Sequence, residues 1–287
     1  MMNVRIPKAV HDWLQENGFG EIEKLRPVSG GCINNGMILQ TGSGQSVFLK
    51  TNPGAPENMF EREAEGLVAL ATQDGPRVPK PFCFGKDFLL MEDLSPGPRR
   101  PGYWTDFGRQ LAHLHNCTNT RFGFTHDNYI GSTPQPNPWT ADGHVFFAEQ
   151  RLIFQAKLAR QQGLLDRLQV DQVERLAARL PELIPVQPAA LIHGDLWSGN
   201  VTADRAGNPA LIDPAVHYGW AEAELGMTDL FGSFPQEFYA AYQEVRPLAG
   251  GFRERFPLYN LYHLLNHLNL FGTGYSGQVS AILSRYV

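Results

Sequence analysis

The feature that most constrains the fold is an abrupt change from apolar to polar residues near position 192. Residues 189–192 read Ala-Ala-Leu-Ile, and residues 193–200 read His-Gly-Asp-Leu-Trp-Ser-Gly-Asn. An apolar run of this length, ended by turn-forming residues, is typical of a buried strand. The sequence therefore predicts a core strand that leads directly into a polar loop.

A predicted β-hairpin follows this loop. Residues 201–204 and 209–212 flank the turn sequence Arg-Ala-Gly-Asn, and pairing residue 204 with residue 209 places Asn200 opposite Asp213. Asp195 enters the same end of the hairpin, so we expect these three side chains to converge. Two carboxylates and an amide are oxygen ligands suited to Mg²⁺. Taken singly, each residue is better explained by the preference of Asp and Asn for turns, and only the combined pattern favours a site.

The first ninety residues combine strand patterns with few helices. We predict helices over 8–17 and 57–71, a hairpin formed by the runs 37–39 and 47–49, and strands over 81–85 and 88–91.

Lys50 ends the strand pattern Val-Phe-Leu-Lys, and Glu63 lies on the helix that follows. Glu63 comes three residues after Phe60 and shares its buried stripe, whereas Glu65 is rotated away. Glu61 flanks the stripe and is a weaker candidate. The His-x-Asp and Asn of residues 193–200, followed by Ile-Asp-Pro at 212–214, resemble the catalytic loop and metal-binding aspartate of protein-kinase-like phosphotransferases. Such enzymes use a strand lysine, oriented by a helix glutamate, to hold the nucleotide phosphates. The spacing therefore predicts that Glu63 pairs with Lys50.

The remainder of the chain has mostly helical patterns, over about 104–116, 144–162, 169–180, 220–243 and 255–271. The pattern changes near residues 92–98, where Ser-Pro-Gly-Pro at 95–98 is typical of a linker. We therefore predict an α+β protein of two lobes, and the resemblance to kinase-like phosphotransferases implies a nucleotide-binding lobe at 1–93 and a catalytic, substrate-binding lobe at 94–287.

Residues 29–36 read Ser-Gly-Gly-Cys-Ile-Asn-Asn-Gly and precede the lysine strand. Gly30, Gly31, Cys32 and Asn34 are candidates for a loop whose backbone N–H groups bind phosphates, although a plain hairpin turn explains the same glycines. Cys32 would be open to oxidation there. A monomer and a dimer linked through this cysteine therefore both remain open.

Composition excludes several classes of protein. The chain has 24 Lys and Arg against 29 Asp and Glu, for a net charge of −5, and carries no basic run, which disfavours nucleic acid as a partner. No apolar stretch approaches the roughly 18 residues of a membrane span, so we expect no membrane partner and a cytoplasmic protein.

Three scattered cysteines favour neither disulfides nor structural zinc. His263 and His267 are spaced like metal ligands but have leucine neighbours, which indicates a packed helix.

Several motifs together resemble the fructosamine kinase (ketosamine-3-kinase) family. The most specific is His-Gly-Asp-Leu-Trp-Ser-Gly-Asn, because aminoglycoside and choline kinases share its His-x-Asp and Asn but not usually the residues between. The matches cover about residues 28–270: Gly-Gly-Cys-Ile-Asn at 30–34, Phe-Leu-Lys-Thr-Asn at 48–52, Met-Phe-Glu-Arg-Glu-Ala at 59–64, Val-Pro-Lys-Pro at 78–81, Asp-Pro-Ala at 213–215, Tyr-Gly at 218–219, Glu-Ala-Glu-Leu at 222–225 and Leu-Phe-Gly at 230–232.

The resemblance implies a two-lobed protein-kinase-like fold, related to that of aminoglycoside phosphotransferases. It also implies transfer of the γ-phosphate of ATP to the 3-hydroxyl of sugars attached to amines, which removes the sugar. Asp195 would accept the hydroxyl proton, while Asn200 and Asp213 would bind Mg²⁺. Lys50 would neutralise phosphate charge. The backbone from Glu92 to Leu94 would be the hinge that meets adenine.

The acceptor site is less specified by the sequence. Trp197 would stack on the sugar or amine, although core packing explains a tryptophan equally well. His217 and Tyr218 are acceptor-site candidates, and Glu222 and Glu224 border the same pocket or brace the loop. His193 is interpreted as a structural hydrogen-bonding residue. The sequence departs from the family pattern at Trp220 and Gly226, where histidine and alanine are common.

Other functions remain open. An aminoglycoside or choline kinase of the same fold would differ only in its acceptor. A non-catalytic pseudokinase or a module that binds glycated protein has no need for both a base and two metal ligands, so the complete set of polar residues argues against it.

Overall fold

The computed structural model describes residues 6–28 and 34–287. Three phosphate-loop candidates, Gly30, Gly31 and Cys32, lie outside the described residues. Among the described residues, no helix combines the length and the apolar character needed to cross a membrane.

A five-stranded antiparallel sheet forms the first part of the chain, in the order β1-β2-β3-β5-β4. Its elements are α1 (Lys8–Glu16), β1 (Ile22–Val28), β2 (Asn35–Thr41), β3 (Ser46–Thr51), α2 (Met59–Leu70), β4 (Pro81–Gly85) and β5 (Phe88–Glu92). The predicted helices, hairpin and strand pair of this region are confirmed. Strand β1 was not predicted from the sequence.

The alternation of side chains along β3 determines where Lys50 points. Val47 and Leu49 pack in one cluster with the buried residues of α1, whereas Phe48 packs in the cluster of α2 on the opposite face. Residues two apart on a strand share a face. Lys50 therefore projects to the same side as Phe48, toward α2.

The second part is mainly helical. Its helices are α3 (Tyr103–His115), α4 (Gly143–Phe147), a π-helical turn (Ala148–Ile153), α5 (Phe154–Gln161), α6 (Arg167–Ala178), α7 (Leu180–Leu183), α8 (Ala221–Leu230), α9 (Gln236–Val245), α10 (Phe252–Phe271) and α11 (Ser276–Tyr286). The predicted single helix over 220–243 is wrong: Phe231–Pro235 separates α8 from α9, because Gly232 takes a φ of +107° and Pro235 lacks the N–H that would continue a helix. Helix α11 was not predicted.

Short strands between these helices carry the polar loop. They are β6 (Thr118–Asn119), β7 (Asn128–Ile130), β8 (Thr133–Gln135), β9 (Ala189–Ile192), β10 (Val201–Ala203), β11 (Pro209–Leu211) and β12 (His217–Gly219). Strand β9 is fully buried and lies between β12 and β6 in an antiparallel sheet. The predicted core strand before the polar loop is therefore confirmed.

The predicted register of the β10–β11 hairpin is wrong by one residue. Val201 pairs with Leu211, and the Ile212 N–H donates to the Asn200 carbonyl at 3.1 Å, so Asn200 does not face Asp213 across the ladder. The Asp204 side chain sets the register, because its Oδ1 accepts the N–H groups of Ala206 and Asn208 at 2.9 Å each. This contact leaves a three-residue turn with Gly207 in the left-handed region.

We predict that Gly207→Ala lowers the free energy of unfolding by about 2 to 3 kcal/mol. Gly207 has a φ of +84°, and a Cβ there would lie 2.4 Å from the Pro98 carbonyl oxygen. Gly163→Ala is the matched control, since Gly163 has a φ of +73° and no atom near its added Cβ. The control isolates the backbone strain of about 1 kcal/mol. Chemical denaturation measures the free energy of unfolding of both variants. Equal losses of this free energy in Gly207→Ala and Gly163→Ala would show that the contact with Pro98 does not constrain the turn.

Candidate active site

Lys50 connects the two parts of the molecule. Its Nζ donates to Glu63 Oε1 at 2.5 Å and to Asp213 Oδ1 at 2.5 Å. The predicted pairing of Lys50 with Glu63 is confirmed. Glu61 and Glu65 instead make ion pairs with Arg62. The contact with Asp213 was not predicted, and it joins strand β3 to the segment that follows the β10–β11 hairpin.

The two carboxylates keep the Lys50 ammonium charged. Burial alone would lower the pKa of this lysine, but the charges and hydrogen bonds of Asp213 and Glu63 outweigh burial and raise it. The Lys50 side chain is 9% exposed and that of Asp213 is 42% exposed. The ammonium is therefore shielded on the Glu63 side, while the Asp213 carboxylate is open to solvent.

Asp195 and Asn200 are joined directly. Asn200 Nδ2 donates to the Asp195 carbonyl at 2.8 Å and to Asp195 Oδ2 at 3.1 Å, and Asn200 itself is buried. Burial raises the pKa of Asp195 to about 7; the hydrogen bond from Asn200 opposes this rise and the charge of Asp213 adds to it. The structure thus brings the three predicted residues into one electrostatic cluster, although not by the predicted strand register.

His193 ties the polar loop to the Asp213 segment. Its Nε2 donates to the Ile212 carbonyl at 2.8 Å, and its own carbonyl accepts the Ala215 N–H at 2.8 Å. Asp213, between them, adopts a φ of +57°, a conformation that Asp tolerates better than most residues. His193 therefore acts as the predicted structural brace.

A buried carboxylate holds the backbone of the same loop. Glu224 Oε2 accepts the His193 N–H at 3.0 Å, and Oε1 accepts the Gly194 N–H at 2.7 Å. His115 Nε2 donates to Glu224 at 2.8 Å. Burial would raise the pKa of Glu224, but the hydrogen bond and charge of His115, the charge of His193 and the Gly194 N–H together lower it. Of the two roles left open by the sequence, the structure supports bracing.

Two buried amide side chains on the β7–β8 hairpin hold the other side of the Asp213 segment. Asn128 Nδ2 donates to the Val216 carbonyl at 2.7 Å, and Gln135 Nε2 donates to the Ala215 carbonyl at 3.0 Å. Tyr262 from α10 donates to Gln135 Oε1 at 2.6 Å. The sequence analysis missed these residues, because isolated amides in a loop give no signal of which carbonyl they will meet.

The donor set at Asn200 and Asp213 fits a hard divalent cation. Asp213 already binds a cation, the Lys50 ammonium, through Oδ1. Asn200 uses its Nδ2 on Asp195, which leaves its Oδ1 as an electron-pair donor. One carboxylate and one amide oxygen, with phosphate and water oxygens, match the mixed ligand set that Mg²⁺ takes in kinase sites.

The nucleotide-site candidates lie along the junction of the two parts. Asn34 Oδ1 accepts a hydrogen bond from Asn52 at 3.1 Å. The Glu92 carboxylate pairs with Arg77, whose guanidinium also reaches Asp204, and Leu94 is buried. A cavity of about 480 Å³ lies between strands β1 and β2 on one side and Ser95 and Pro96 on the other.

The acceptor-site candidates are placed differently from one another. Trp197 is 36% exposed, with its ring edge-on to Phe231 at 6.1 Å. His217 is buried, and its Nδ1 donates to the Ala215 carbonyl at 3.1 Å. Tyr218 is half-buried beside the Trp139 ring at 6.0 Å. Of these three, Trp197 is the most exposed.

The two positions that depart from the family pattern lie in the interior, as does Glu222. The Trp220 ring packs against Phe147 and Tyr259, and a Cβ at Gly226 would lie 3.2 Å from Asn260 Oδ1. Glu222 makes a buried ion pair with Arg255. These residues support the packing of α8 on α10.

We predict that Glu224→Gln destabilises the protein by about 2 to 3 kcal/mol and speeds amide hydrogen exchange at His193 and Gly194. The substitution replaces one carboxylate oxygen of Glu224 by an NH₂ group, which donates and cannot accept. One buried N–H group of the loop then loses its hydrogen-bond acceptor. Glu222→Gln is the control, because Glu222 is equally buried but binds Arg255 and Tyr259 instead. Unchanged exchange in the 193–197 segment of Glu224→Gln would contradict the bracing role.

Comparison with known proteins identifies the family. The model of the fructosamine kinase family matches residues 6–287. A "probable ketoamine kinase" of Synechocystis is 43% identical over 269 residues, covering 92% of this chain and 90% of that protein. The chloroplastic protein-ribulosamine 3-kinase of Arabidopsis thaliana is 40% identical over 289 residues, covering 97% of this chain and 87% of that protein.

Solved structures agree with this assignment. A "putative fructosamine-3-kinase" from Thermobifida fusca superposes with a TM-score of 0.88 at 33% identity, covering 98% of both chains. An aminoglycoside phosphotransferase superposes with a TM-score of 0.59 at 17% identity, covering 98% of this chain and 99% of that one, which shows the shared protein-kinase-like fold. The chain belongs to the fructosamine kinase family.

Proposed function

We propose that the protein is an ATP-dependent kinase that phosphorylates the 3-hydroxyl of ketosamines, the adducts of sugars with amines, and so promotes deglycation. The observation that carries the proposal is the Lys50 ammonium held between Glu63 and Asp213, which connects the predicted phosphate-binding lysine to the Asp195 loop. Family membership selects the ketosamine among the possible alcohol acceptors. In this proposal residues 1–93 bind nucleotide and residues 94–287 bind the acceptor.

Asp195 accepts the proton of the sugar hydroxyl. As that O–H bond breaks, the hydroxyl oxygen forms a bond to the γ-phosphorus, and the bond from phosphorus to the β–γ bridging oxygen breaks to release ADP. The Asn200 hydrogen bond to Asp195 Oδ2 fixes the carboxylate, so that it need not reorganise during proton transfer.

Residues from both parts of the chain would neutralise the negative charge of the phosphates. Lys50 would bind phosphate oxygens through an N–H that its two carboxylates do not use. Asn200 and Asp213 would hold Mg²⁺, which supplies positive charge to the phosphates when bound. Lys50 and the metal site thus share Asp213, which aligns the phosphates with Asp195.

The remaining contacts are assigned by the family resemblance. Gly30, Gly31, Cys32 and Asn34 would cover the phosphates, and the backbone from Glu92 to Leu94 would meet adenine. The cavity beside Ser95 lies next to this backbone and supports that assignment. Trp197 would stack on the sugar, which its exposed ring supports. Tyr218 would contact the acceptor at the edge of the site. The buried ring of His217 would not touch the acceptor and would instead support the loop through its hydrogen bond to the Ala215 carbonyl.

We predict that Asp195→Asn lowers ketosamine-dependent ADP release about a thousandfold while ATP binding persists. The assay uses Mg²⁺ with ribulose-lysine and fructose-lysine adducts, beside aminoglycoside and choline acceptors. The variant removes a half-buried carboxylate whose charged form is disfavoured by desolvation, so its melting temperature at pH 8 should equal or exceed that of the wild type. Turnover by the wild type with only aminoglycoside or choline would show that the acceptor is not a ketosamine. Turnover retained in the variant would show that Asp195 is not the proton acceptor.

The raised pKa of Asp195 predicts the pH dependence of the reaction. Because burial raises its pKa to about 7, the carboxylate gains a proton as the pH falls below that value and can no longer accept one from the substrate. We expect kcat/KM for the ketosamine to rise tenfold per pH unit below about pH 7 and to level off above it. A rate that stays flat between pH 5.5 and 8 would contradict this assignment.

A further inference from the structure

A row of aromatic side chains begins at Trp197, two residues after Asp195. The Trp197 and Phe231 ring centres lie 6.1 Å apart, and those of Phe231 and His267 lie 4.8 Å apart. The catalytic loop, the residue after α8 and the last turn of α10 therefore meet through their rings.

The row continues from His267 to the end of the helix. The His267 ring centre lies 5.4 Å from that of Phe271 and 5.1 Å from that of Tyr275. We call these five residues the aromatic row: Trp197, Phe231, His267, Phe271 and Tyr275.

Both ends of the aromatic row are open to solvent. Trp197 is 36% exposed and Phe271 is 51% exposed, while the three rings between and beside them are half-buried. Single exposed hydrophobic side chains are normal on protein surfaces. A connected row of rings that starts beside the catalytic base is different, because contiguous exposed apolar surface marks binding sites.

His267 contributes a polar group at the middle of the aromatic row. His267 Nδ1 lies 2.8 Å from the His263 carbonyl, which can only accept a hydrogen bond, so Nδ1 carries the proton. Burial lowers the pKa of His267, so the ring is neutral near pH 7. Its Nε2 is therefore a hydrogen-bond acceptor, and the row carries no positive charge that would repel a cationic ligand.

We propose that the aromatic row binds the amine carrier of the ketosamine, with the side chain of a glycated lysine in a peptide as the occupant. This inference rests on the proposed function, which places the sugar hydroxyl at Asp195. The carrier is joined to the sugar through its amine nitrogen. The aromatic row continues from Trp197, so a carrier attached to a sugar at Asp195 would meet it.

The chemistry of a glycated lysine matches the order of groups along the aromatic row. Its secondary ammonium would lie against the Trp197 face, because aromatic faces attract cations. Its alkyl stem would cover Phe231, and a peptide N–H beyond the stem would donate to His267 Nε2. Phe271 and Tyr275 would contact the residues that flank the lysine.

The test compares a long carrier with a short one. Ribulose adducts of a lysine-containing tripeptide and of methylamine are assayed with wild type, Phe271→Ala and His267→Phe. We expect the ratio of kcat/KM for the peptide adduct to that for the methylamine adduct to fall about threefold to fivefold in each variant. Phe84→Ala is the control, since Phe84 is 48% exposed on strand β4 and lies outside the row.

Each outcome decides between the two proposals. An unchanged ratio in both row variants, with methylamine adduct still phosphorylated, overturns the carrier site and leaves the proposed function standing. Wild-type enzyme that phosphorylates neither adduct overturns both. His267→Phe keeps a ring in place, so it reports on the acceptor atom if Phe271→Ala proves too unstable to assay. A ratio that falls equally in Phe84→Ala also overturns the inference.

Discussion

The ammonium of Lys50 is the charge around which the rest of the site is arranged. It lies between carboxylates from two distant parts of the sequence, Glu63 on α2 and Asp213 beyond the β10–β11 hairpin. A buried charge is costly unless it is paired, so the approach of α2 and of the Asp213 segment to strand β3 stabilises the charged form of the lysine. The lysine that would neutralise phosphate charge therefore also links the two parts of the molecule.

The loop that carries Asp195 is held by hydrogen bonds with side chains outside the proposed catalytic set. Glu224 accepts two of its backbone N–H groups, and the carbonyls after Asp213 accept hydrogen bonds from Asn128 and Gln135. Each of these contacts satisfies a polar backbone group that would otherwise be buried without a partner. The loop backbone is thus held from the interior, while the Asp213 side chain stays exposed and Asp195 is half-buried.

Sequence reasoning succeeded where a periodic pattern determines the contact. Helical spacing selected Glu63 over Glu65, and the apolar run before His193 predicted the core strand. The reasoning failed where one side chain overrides the pattern: Asp204 bonds the N–H groups of its own turn and moves the hairpin register by one residue. The contact between Lys50 and Asp213 spans 163 residues, and no local pattern indicates such a contact. The site was predictable in its residue types but not in its geometry.

The exposure of the site residues agrees with the roles proposed for them. Proton acceptance benefits from a carboxylate whose pKa is near neutral, and burial of Asp195 provides it. Acceptor binding requires exposure rather than burial, because a sugar joined to a carrier of any length must reach the same carboxylate from solvent. Trp197 meets this requirement: its backbone belongs to the braced loop, while its ring stays open beside Phe231. In the proposed function, a half-buried base next to an exposed aromatic ring would allow one reaction centre to serve carriers of different size.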